Sequence, residues 1–532
     1  MSQSRSLWSI LRWARRVVWA WALLGRKALA PRVGLVGLVG LVGFAGLAGC
    51  LGASHAAEAP IALPGASGAP ALLAAFGPLL GDRALTGARL TLLVTPANGG
   101  APVFGYHPDE RLHPASNTKL LTTAAALVRL GPGYTFATDL AAPPLIRGVA
   151  SALHLIGRGD PSFLSESLWK LIEEARLNGL KEVAGDLIVD ETFFTAAHSP
   201  PGFESKTTDE AFRAPSGAAS LNFNQLVVSV WPGEKAGTAV VVRVSPDSGY
   251  ATVINTGRTR AKGKPRLNVI VVPDRGRVTV RVSGSLTLDG GPFVTRRRID
   301  DPGLFLGMTA RMMLSQAGIP VRGKIRSGRA PVDTILLARS ESRPLGALIG
   351  DVNKFSNNFM AEQLVRTLGA VRRGRGDWSA GCAEVLDFVH TELGRDGLRF
   401  ANGSGLFGDT AFSARDVIRL LTYMKTRQPY LPEFEASLAV GGIDGTMARR
   451  ARGFAPYTLR VKTGTLDGVV ALSGYAPFAD GTTAAFSILM NDVPGRAWEV
   501  WKLHDRMLEL IGRFDPASGT LRAPPAEVPV AP

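Results

Sequence analysis

The stretch Pro114-Ala115-Ser116-Asn117-Thr118-Lys119 constrains this 532-residue chain more than any other. It opens a run of good helix formers over 120–130, in which Leu120, Leu121, Ala124, Leu127 and Val128 recur at helical spacing before Gly131-Pro132 ends the pattern. Proline is tolerated just ahead of a first turn, so the spacing predicts a helix whose first turn presents Ser116 and Lys119 on one face. A serine hydroxyl is a poor nucleophile until a base removes its proton. A lysine serves as that base only where desolvation or nearby cations bring its pKa toward neutrality. The unpaired N–H groups and positive dipole end of a helix start favour a developing oxyanion as well. Ser-x-x-Lys is therefore a candidate nucleophile with its own base. The same residues also describe a helix-start serine beside a solvated lysine, and Ser167-Leu168-Trp169-Lys170 repeats the spacing. The rest of the chain has to decide.

Length alone suggests about two to four domains. A hydrophobic content of 46% with 20% charged residues describes a globular chain. The net charge of +16 divides unevenly: Arg5, Arg12, Arg15, Arg16, Arg26, Lys27 and Arg32 lie in residues 1–49 with no Asp or Glu, and removing these seven leaves +9. Such a remainder suits nucleic acid, anionic lipid or an acidic polymer such as a cell wall. The densest basic runs, 258–266 and 296–298, lack interleaved aromatics for base stacking, which argues against nucleic acid and leaves solvated faces or a weak polyanion contact.

The amino terminus reads as an export signal: a basic region ends at Arg32, an uncharged stretch follows over 33–49, and then comes Leu47-Ala48-Gly49-Cys50. Earlier apolar pieces are interrupted by Arg12, Arg15 and Arg16, so they make no membrane span. Two exits are open. Leu47 to Cys50 resembles the lipobox of bacterial lipoproteins, which puts a lipid on Cys50 and gives membrane contact; Ser54 and Ala56 offer an ordinary signal-peptidase site within a 1–56 targeting segment. Both place the mature chain outside the cytoplasm, in the periplasm. Cys50 and Cys382 are the only cysteines, so no disulfide is expected and Cys382 should pack as a small apolar side chain. His107, His113, His198, His390 and His504 are scattered with no i, i+4 pair, so no metal site is expected.

Along the chain, a helical piece at 71–80 and strand-like runs at 89–95 and 102–106 lead into the Ser116 helix, as in an α+β or three-layer domain. An amphipathic helix is expected over 164–177. From 185 to about 323 short strands dominate, at 187–190, 225–231, 240–244, 268–272 and 278–282, with turn signals between them and no grouping of catalytic residue types. That region reads as a β-rich insertion. Helical patterns return at 302–316 and 358–368, and the Pro- and Ala-bearing tail over 517–532 reads as disordered.

Two further stretches carry chemistry. Ser356-Asn357-Asn358 opens the 358–368 helix, where a second hydroxyl and an amide at a helix mouth can relay a proton and bind a carbonyl, although an N-cap serine or asparagine looks the same. Lys462-Thr463-Gly464-Thr465 continues a strand run, with Lys462 and Thr463 on opposite faces and Gly464 admitting a close backbone approach. Lys462 supplies a positive charge and Thr463 a hydroxyl, a pair suited to a substrate carboxylate; an edge strand with a surface lysine is the plain alternative.

Ser-x-x-Lys, Ser-x-Asn and Lys-Thr-Gly in this order are the motifs of the serine β-lactamases and penicillin-binding proteins. Ser116 and Ser356 lie 240 residues apart, and Ser356 and Lys462 lie 106 apart. That long first interval resembles peptidase family S13, the penicillin-binding protein 4 type of D-alanyl-D-alanine carboxypeptidase/endopeptidase. So do Gly159-Asp160-Pro161-Ser162, Gly185-Asp186-Leu187-Ile188-Val189-Asp190, Ser356 through Leu364, Gly403-Ser404-Gly405-Leu406 and Gly441-Gly442-Ile443-Asp444-Gly445-Thr446. Where that family usually has Asp-Gly-Ser-Gly-Leu-Ser, this chain has Asn402 and Phe407 in place of the carboxylate and hydroxyl, which puts the geometry of that loop in question. Glu174-Ala175-Arg176-Leu177-Asn178 mimics the deacylating motif of class A β-lactamases but precedes the second motif and sits in a helix pattern, so Glu174 reads as helix surface.

The resemblance implies an α/β (α+β) penicillin-binding, transpeptidase-like domain with an antiparallel sheet of five or so strands flanked by helices. That catalytic domain would be discontinuous, 66–140 with 340–516, and interrupted by the β-rich insertion 141–339, two modules with 166–234 nested in the rest. It implies that Ser116 attacks the carbonyl between two D-alanines with Lys119 as base, that Ser356 and Lys462 pass the proton to the leaving amine, and that Asn358 orients the substrate. The N–H groups of Ser116 and Thr465 would hold the oxyanion, and Lys462, Thr463 and Thr465, beside Gly464, the terminal carboxylate. Peptidoglycan pentapeptide stems and cross-links would be the substrates, β-lactams covalent inhibitors, and no cofactor is needed. A β-lactamase and a non-catalytic cell-wall-binding lipoprotein that keeps the fold are the alternatives.

Overall fold

The computed structural model describes residues 64–523 except 206, 207 and 456. The export signal with Cys50, Ser54 and Ala56, and the end of the tail, lie outside the described residues. Among the described residues no helix is long and apolar enough to cross a membrane.

The centre is a seven-stranded sheet in the order Ala66–Gly68, Phe104–Tyr106, Arg89–Pro96, Thr483–Asn491, Val469–Pro477, Arg460–Leu466, Ala439–Val440, with every neighbouring pair antiparallel. Five or so strands were expected. The extra ones, Ala66–Gly68 and Ala439–Val440, are edge pieces of three and two residues, too short to carry an alternation pattern. The middle strands are buried on both faces, which is why Thr483–Asn491 reads as a nearly unbroken apolar run. Its alternate residues serve two cores: Ala484, Phe486, Ile488 and Met490 face Leu72, Phe76, Val500 and Met507 from the helices Pro70–Leu80 and Ala497–Arg513. The opposite face, with Leu93, Tyr475 and Ala485, packs on the larger helical layer of Thr118–Leu130, Asn358–Arg373, Trp378–Leu393 and Ala414–Thr426. The Thr118–Leu130 helix lies inside that layer, buried from Thr118 to Leu127. A helix buried all round has no solvated face for a lysine, and this fixes the environment of Lys119.

Between Ala137 and Glu341 the chain builds further sheets. A five-stranded one runs Ile325–Ser327, Leu187–Asp190, Leu153–Gly157, Ala137–Ala142, Ile335–Glu341. Leu153–Gly157 and Leu187–Asp190 are parallel and joined through the Ser165–Leu177 helix, on which Glu174 is exposed. Val241–Ser245, Gln225–Trp231 and Phe293–Arg298 form a second sheet, and the strands from Ala251–Asn255 to Arg277–Thr287 a third. One apolar core running from Leu140 to Ala338 serves them all. The expected limits at 141 and 339 therefore cut through two paired strands, Ala137–Ala142 and Ile335–Glu341, which enter and leave side by side. Within 166–234, Leu187–Asp190 pairs with strands on both sides of that range, and Gln225–Trp231 with two strands beyond it. Pairing partners so far apart leave no local trace.

The tail is ordered further than expected. Phe514–Asp515 pairs with Thr520–Leu521, and the Asp515 carboxylate accepts from Ala517 N and pairs with Arg522 across the turn.

Candidate active site

Ser116 sits in a 3-10 turn, Ala115–Asn117, that runs straight into the Thr118–Leu130 helix. Ala115 is held at φ 47° and Ser356 at φ 55°, left-handed conformations that cost an ordinary residue on the order of 1–2 kcal/mol. Ala115 precedes the serine of the first motif, and Ser356 is itself the serine of the second. The first turn is held from several sides. Asn491 clamps the backbone of His113 from both sides, accepting from its N–H at 2.9 Å and donating to its carbonyl at 2.9 Å. Asn117 Nδ2 donates to Ser473 Oγ at 2.7 Å, tying the turn to the middle of the sheet.

Lys119 Nζ donates to Ser116 Oγ at 3.0 Å, to Asn358 Oδ1 at 2.7 Å and to the Ser404 carbonyl at 2.7 Å. All three donor positions of an ammonium are filled, by neutral acceptors only. The side chain is fully buried, and burial lowers its pKa from the ordinary 10.5 to about 7, against the upward pull of the Glu362 carboxylate. The surface-lysine reading thus fails for Lys119, because the helix is buried from Thr118 to Leu127.

The Asn358–Arg373 helix brings the second motif. Its N-cap is Asn357, whose side chain accepts from Met360 N at 3.1 Å. Capping therefore does not use Ser356 or Asn358. Asn358 Oδ1 meets Lys119, and its Nδ2 donates to the Phe212 carbonyl at 3.0 Å, on a segment of the insertion. That segment lies along the helix: Arg366 donates to the carbonyls of Thr195 and Ser216, and Gln363 bonds Ser216 and Gly217. Nothing in the sequence pointed to residue 212.

Lys462 lies on the Arg460–Leu466 strand directly opposite Ser473, which is opposite Ser487, so this row faces the helical layer. Its Nζ donates to Ser356 Oγ at 3.0 Å and to the Thr463 carbonyl at 2.8 Å. It is fully buried, and burial first, then the charge of Lys119, pushes its pKa well below the ordinary lysine value. Its positive charge is therefore conditional on a counter-charge. Thr463 and Thr465 alternate onto the other side of the strand, where Thr463 donates to Thr446 Oγ1 at 2.8 Å and Thr465 is exposed. The three side chains flank the strand's edge and do not share a face. That edge is open: Ala439–Val440 pairs only with Val461 and Arg460. A Cβ on Gly464 would come within 3.0 Å of Pro114 O and 3.1 Å of Ser116 N. The close approach that this glycine admits is made by the chain's own turn.

A fourth stretch, 402–408, completes the site. Gly405, at φ 69°, lies where a Cβ would be 2.1 Å from the Ala115 carbonyl, so this loop rests on the Ser116 turn. Asn402 closes it: Nδ2 donates to the carbonyls of Pro201, Phe407 and Leu406 at 3.0, 3.1 and 3.3 Å, and Oδ1 accepts from Gly405 N at 2.9 Å. The Phe407 ring meets Phe203 edge-on and lies 5.8 Å from the Arg213 guanidinium. The two departures from the family pattern therefore leave a closed loop, tied by an amide and packed against the insertion.

Residues 72–503 match the D-Ala-D-Ala carboxypeptidase 3 (S13) family. The chain is 35% identical to a D-alanyl-D-alanine carboxypeptidase of Actinomadura sp. (strain R39) over 438 residues, 79% of this chain and 80% of that one. It is 25% identical to the D-alanyl-D-alanine carboxypeptidase DacB of Haemophilus influenzae, over 76% of this chain and 86% of the relative. The crystal structure of penicillin-binding protein 4 (dacB) from Haemophilus influenzae superposes with a TM-score of 0.70 at 23% identity, covering 79% of this chain and 95% of that one. That likeness is one of fold, an α/β penicillin-binding architecture with its antiparallel sheet flanked by helices, as expected.

Proposed function

The chain belongs to the S13 family of D-Ala-D-Ala carboxypeptidases, and from that premise we propose that it is a serine enzyme working through an acyl-enzyme on Ser116. The observation that carries the reading is the buried Lys119 amine, with a pKa near 7, bonded to Ser116 Oγ. Neutral Lys119 takes the serine proton as Oγ attacks the carbonyl of the penultimate D-alanine. The N–H groups of Ser116 and Thr465 receive the oxyanion, each such donor being worth about 100- to 1000-fold in rate. Once protonated, Lys119 weakens the hold of Lys462 on its own proton, and Ser356, bonded to Lys462, delivers a proton to the departing amine. Water then releases the acyl group.

The open edge of Arg460–Leu466 suits an extended peptide, and the substrate's terminal carboxylate supplies the counter-charge that buried Lys462 lacks. Thr463, Gly464 and Thr465 frame that end, and Asn358 orients the acyl portion. The same site would cut D-alanyl cross-links as an endopeptidase, outside the cytoplasm where peptidoglycan lies. Penicillin, presenting the same carbonyl and carboxylate on a strained amide, would acylate Ser116.

The test is incubation of the protein and of Ser116→Ala with a fluorescent penicillin, read by intact mass. A stable adduct on the wild type alone is expected. Antibiotic consumed without an adduct would instead mean β-lactamase turnover, and antibiotic left untouched would mean a non-catalytic scaffold.

A further inference from the structure

Glu362 lies one helical turn beyond Asn358, on the same face of the Asn358–Arg373 helix, with 1% of its surface exposed. Its Oε1 accepts from Ser404 N at 2.8 Å; its Oε2 accepts from Gly403 N at 3.1 Å and from Trp378 Nε1 at 2.8 Å. Three neutral donors surround a buried carboxylate. Arg366, one turn further along, gives its N–H groups to the Gly376, Ser216 and Thr195 carbonyls while its guanidinium lies between the Phe194 and Trp378 rings. We infer that Glu362 is a positioning residue for the Lys119 base, fixing the 403–405 turn so that the Ser404 carbonyl meets Nζ and setting the proton affinity of the amine by its charge. This rests on the reading of Lys119 as the base for Ser116.

Two arguments support it. The first is geometric. Successive N–H groups of Gly403 and Ser404 point at the carboxylate, so the Ser404 carbonyl is turned the other way, onto Lys119 at 2.7 Å. With Asn358 Oδ1, one helix thus sets two of the three acceptors around Nζ, one directly and one through the turn. The second is electrostatic. Burying a carboxylate without a bonded cation is costly, and a structural staple for two amides does not require a charge. Burial alone would drive Lys119 further down, and Glu362 opposes that, leaving it near 7. A base works best with a pKa close to the operating pH, because a less basic amine takes the serine proton more weakly. The other ionisable groups around this pair are Lys462 on the Arg460–Leu466 strand, Arg366 on the same helix with Glu191 acting on it, and Cys382 and Asp377 on or beside the Trp378–Leu393 helix. Arg366 carries positive charge and Lys462 does so only when protonated, so Glu362 supplies the single opposing charge in the immediate pull on Lys119.

The experiment measures the rate of acylation by a fluorescent penicillin from pH 5 to 9.5 for wild type, Glu362→Gln and Glu362→Asp, with thermal unfolding of each. Glu362→Gln is expected to lose about a hundredfold in the plateau rate, the usual consequence of a misplaced reacting group, and to move the midpoint of the acid limb to lower pH. Glu362→Asp keeps the charge but falls short of both amides: its plateau drops while its midpoint stays with the wild type. A folded Glu362→Gln with an unchanged profile would overturn the inference, and so would a lower plateau with an unmoved midpoint, which is what a structural staple alone produces. If Glu362→Gln does not fold, Glu362→Asp decides, a wild-type plateau being the refuting result. A wild type that is never acylated would instead defeat the reading of Ser116 and Lys119.

Discussion

Acylation of the wild-type protein by a penicillin should titrate with a midpoint near pH 7. The magnitude follows from Lys119, whose pKa falls from 10.5 to about 7 on burial. At pH 7 about half of the molecules then hold the neutral amine, against about three in ten thousand for an ordinary lysine, a gain of roughly a thousandfold in competent base. The sign is that of a depressed cation. The base form fills as pH rises through 7, so the rate falls about tenfold for each pH unit below that and levels off above it. Stability moves in the same direction: between pH 7 and 10.5 the unfolded chain binds one proton more at this position, so the contribution rises with pH across that window. Lys462 is depressed too and partly by Lys119, so the limb belongs to the pair. The assay is quenched-flow labelling at constant ionic strength over pH 5 to 9.5, with Lys119→Arg, which stays protonated, expected to show no labelling. A rate still climbing beyond pH 9, or flat down to pH 5, would refute the argument that burial prepares the base.

Three substitutions test how the site is held. Gly464→Ala puts a Cβ within 3.1 Å of Pro114 O, Ala115 Cβ and Ser116 N, and should cost about 1–3 kcal/mol in chemical denaturation while slowing penicillin labelling, because the turn that must give way carries the nucleophile. Asn491→Ala removes the bond to the His113 N–H and the bond to its carbonyl and should cost about 1–3 kcal/mol, with labelling slower than wild type at a temperature where both remain folded. Asn402→Asp would aim a carboxylate at the carbonyls of Pro201, Leu406 and Phe407. Its folded-state pKa should rise above that of the unfolded chain, so the loss, about 3 kcal/mol, should be present at pH 7 and shrink toward pH 4, as thermal unfolding at the two pH values would reveal.

What could be read from the sequence was whatever a short contiguous string carries. Ser116 with Lys119, Ser356 with Asn358, and Lys462 through Thr465 are each set by one turn or one strand, and the structure brings all three strings together although 240 and 106 residues separate them. The helices read at 120–130, 302–316 and 358–368 were visible from their apolar period, and the structure carries the first back to 118 and the last on to 373. Strand partners were not: Leu187–Asp190 looks the same whether it lies in a hairpin or, as here, between two parallel neighbours. Groups that act through a backbone carbonyl were invisible for a stronger reason, since Phe212 and Ser404 contribute an atom that every residue has. Glu362 lies between these cases. It is four residues past Asn358, close enough for a helical projection to put both on the face that meets Lys119, yet its partners Trp378, Gly403 and Ser404 lie 16, 41 and 42 residues on, and nothing in the chain ties them to it. The nucleophile and its base could be named from the sequence; the groups that set the strength of that base come from the 402–408 loop and the Asn358–Arg373 helix, and only the folded chain brings them to Lys119.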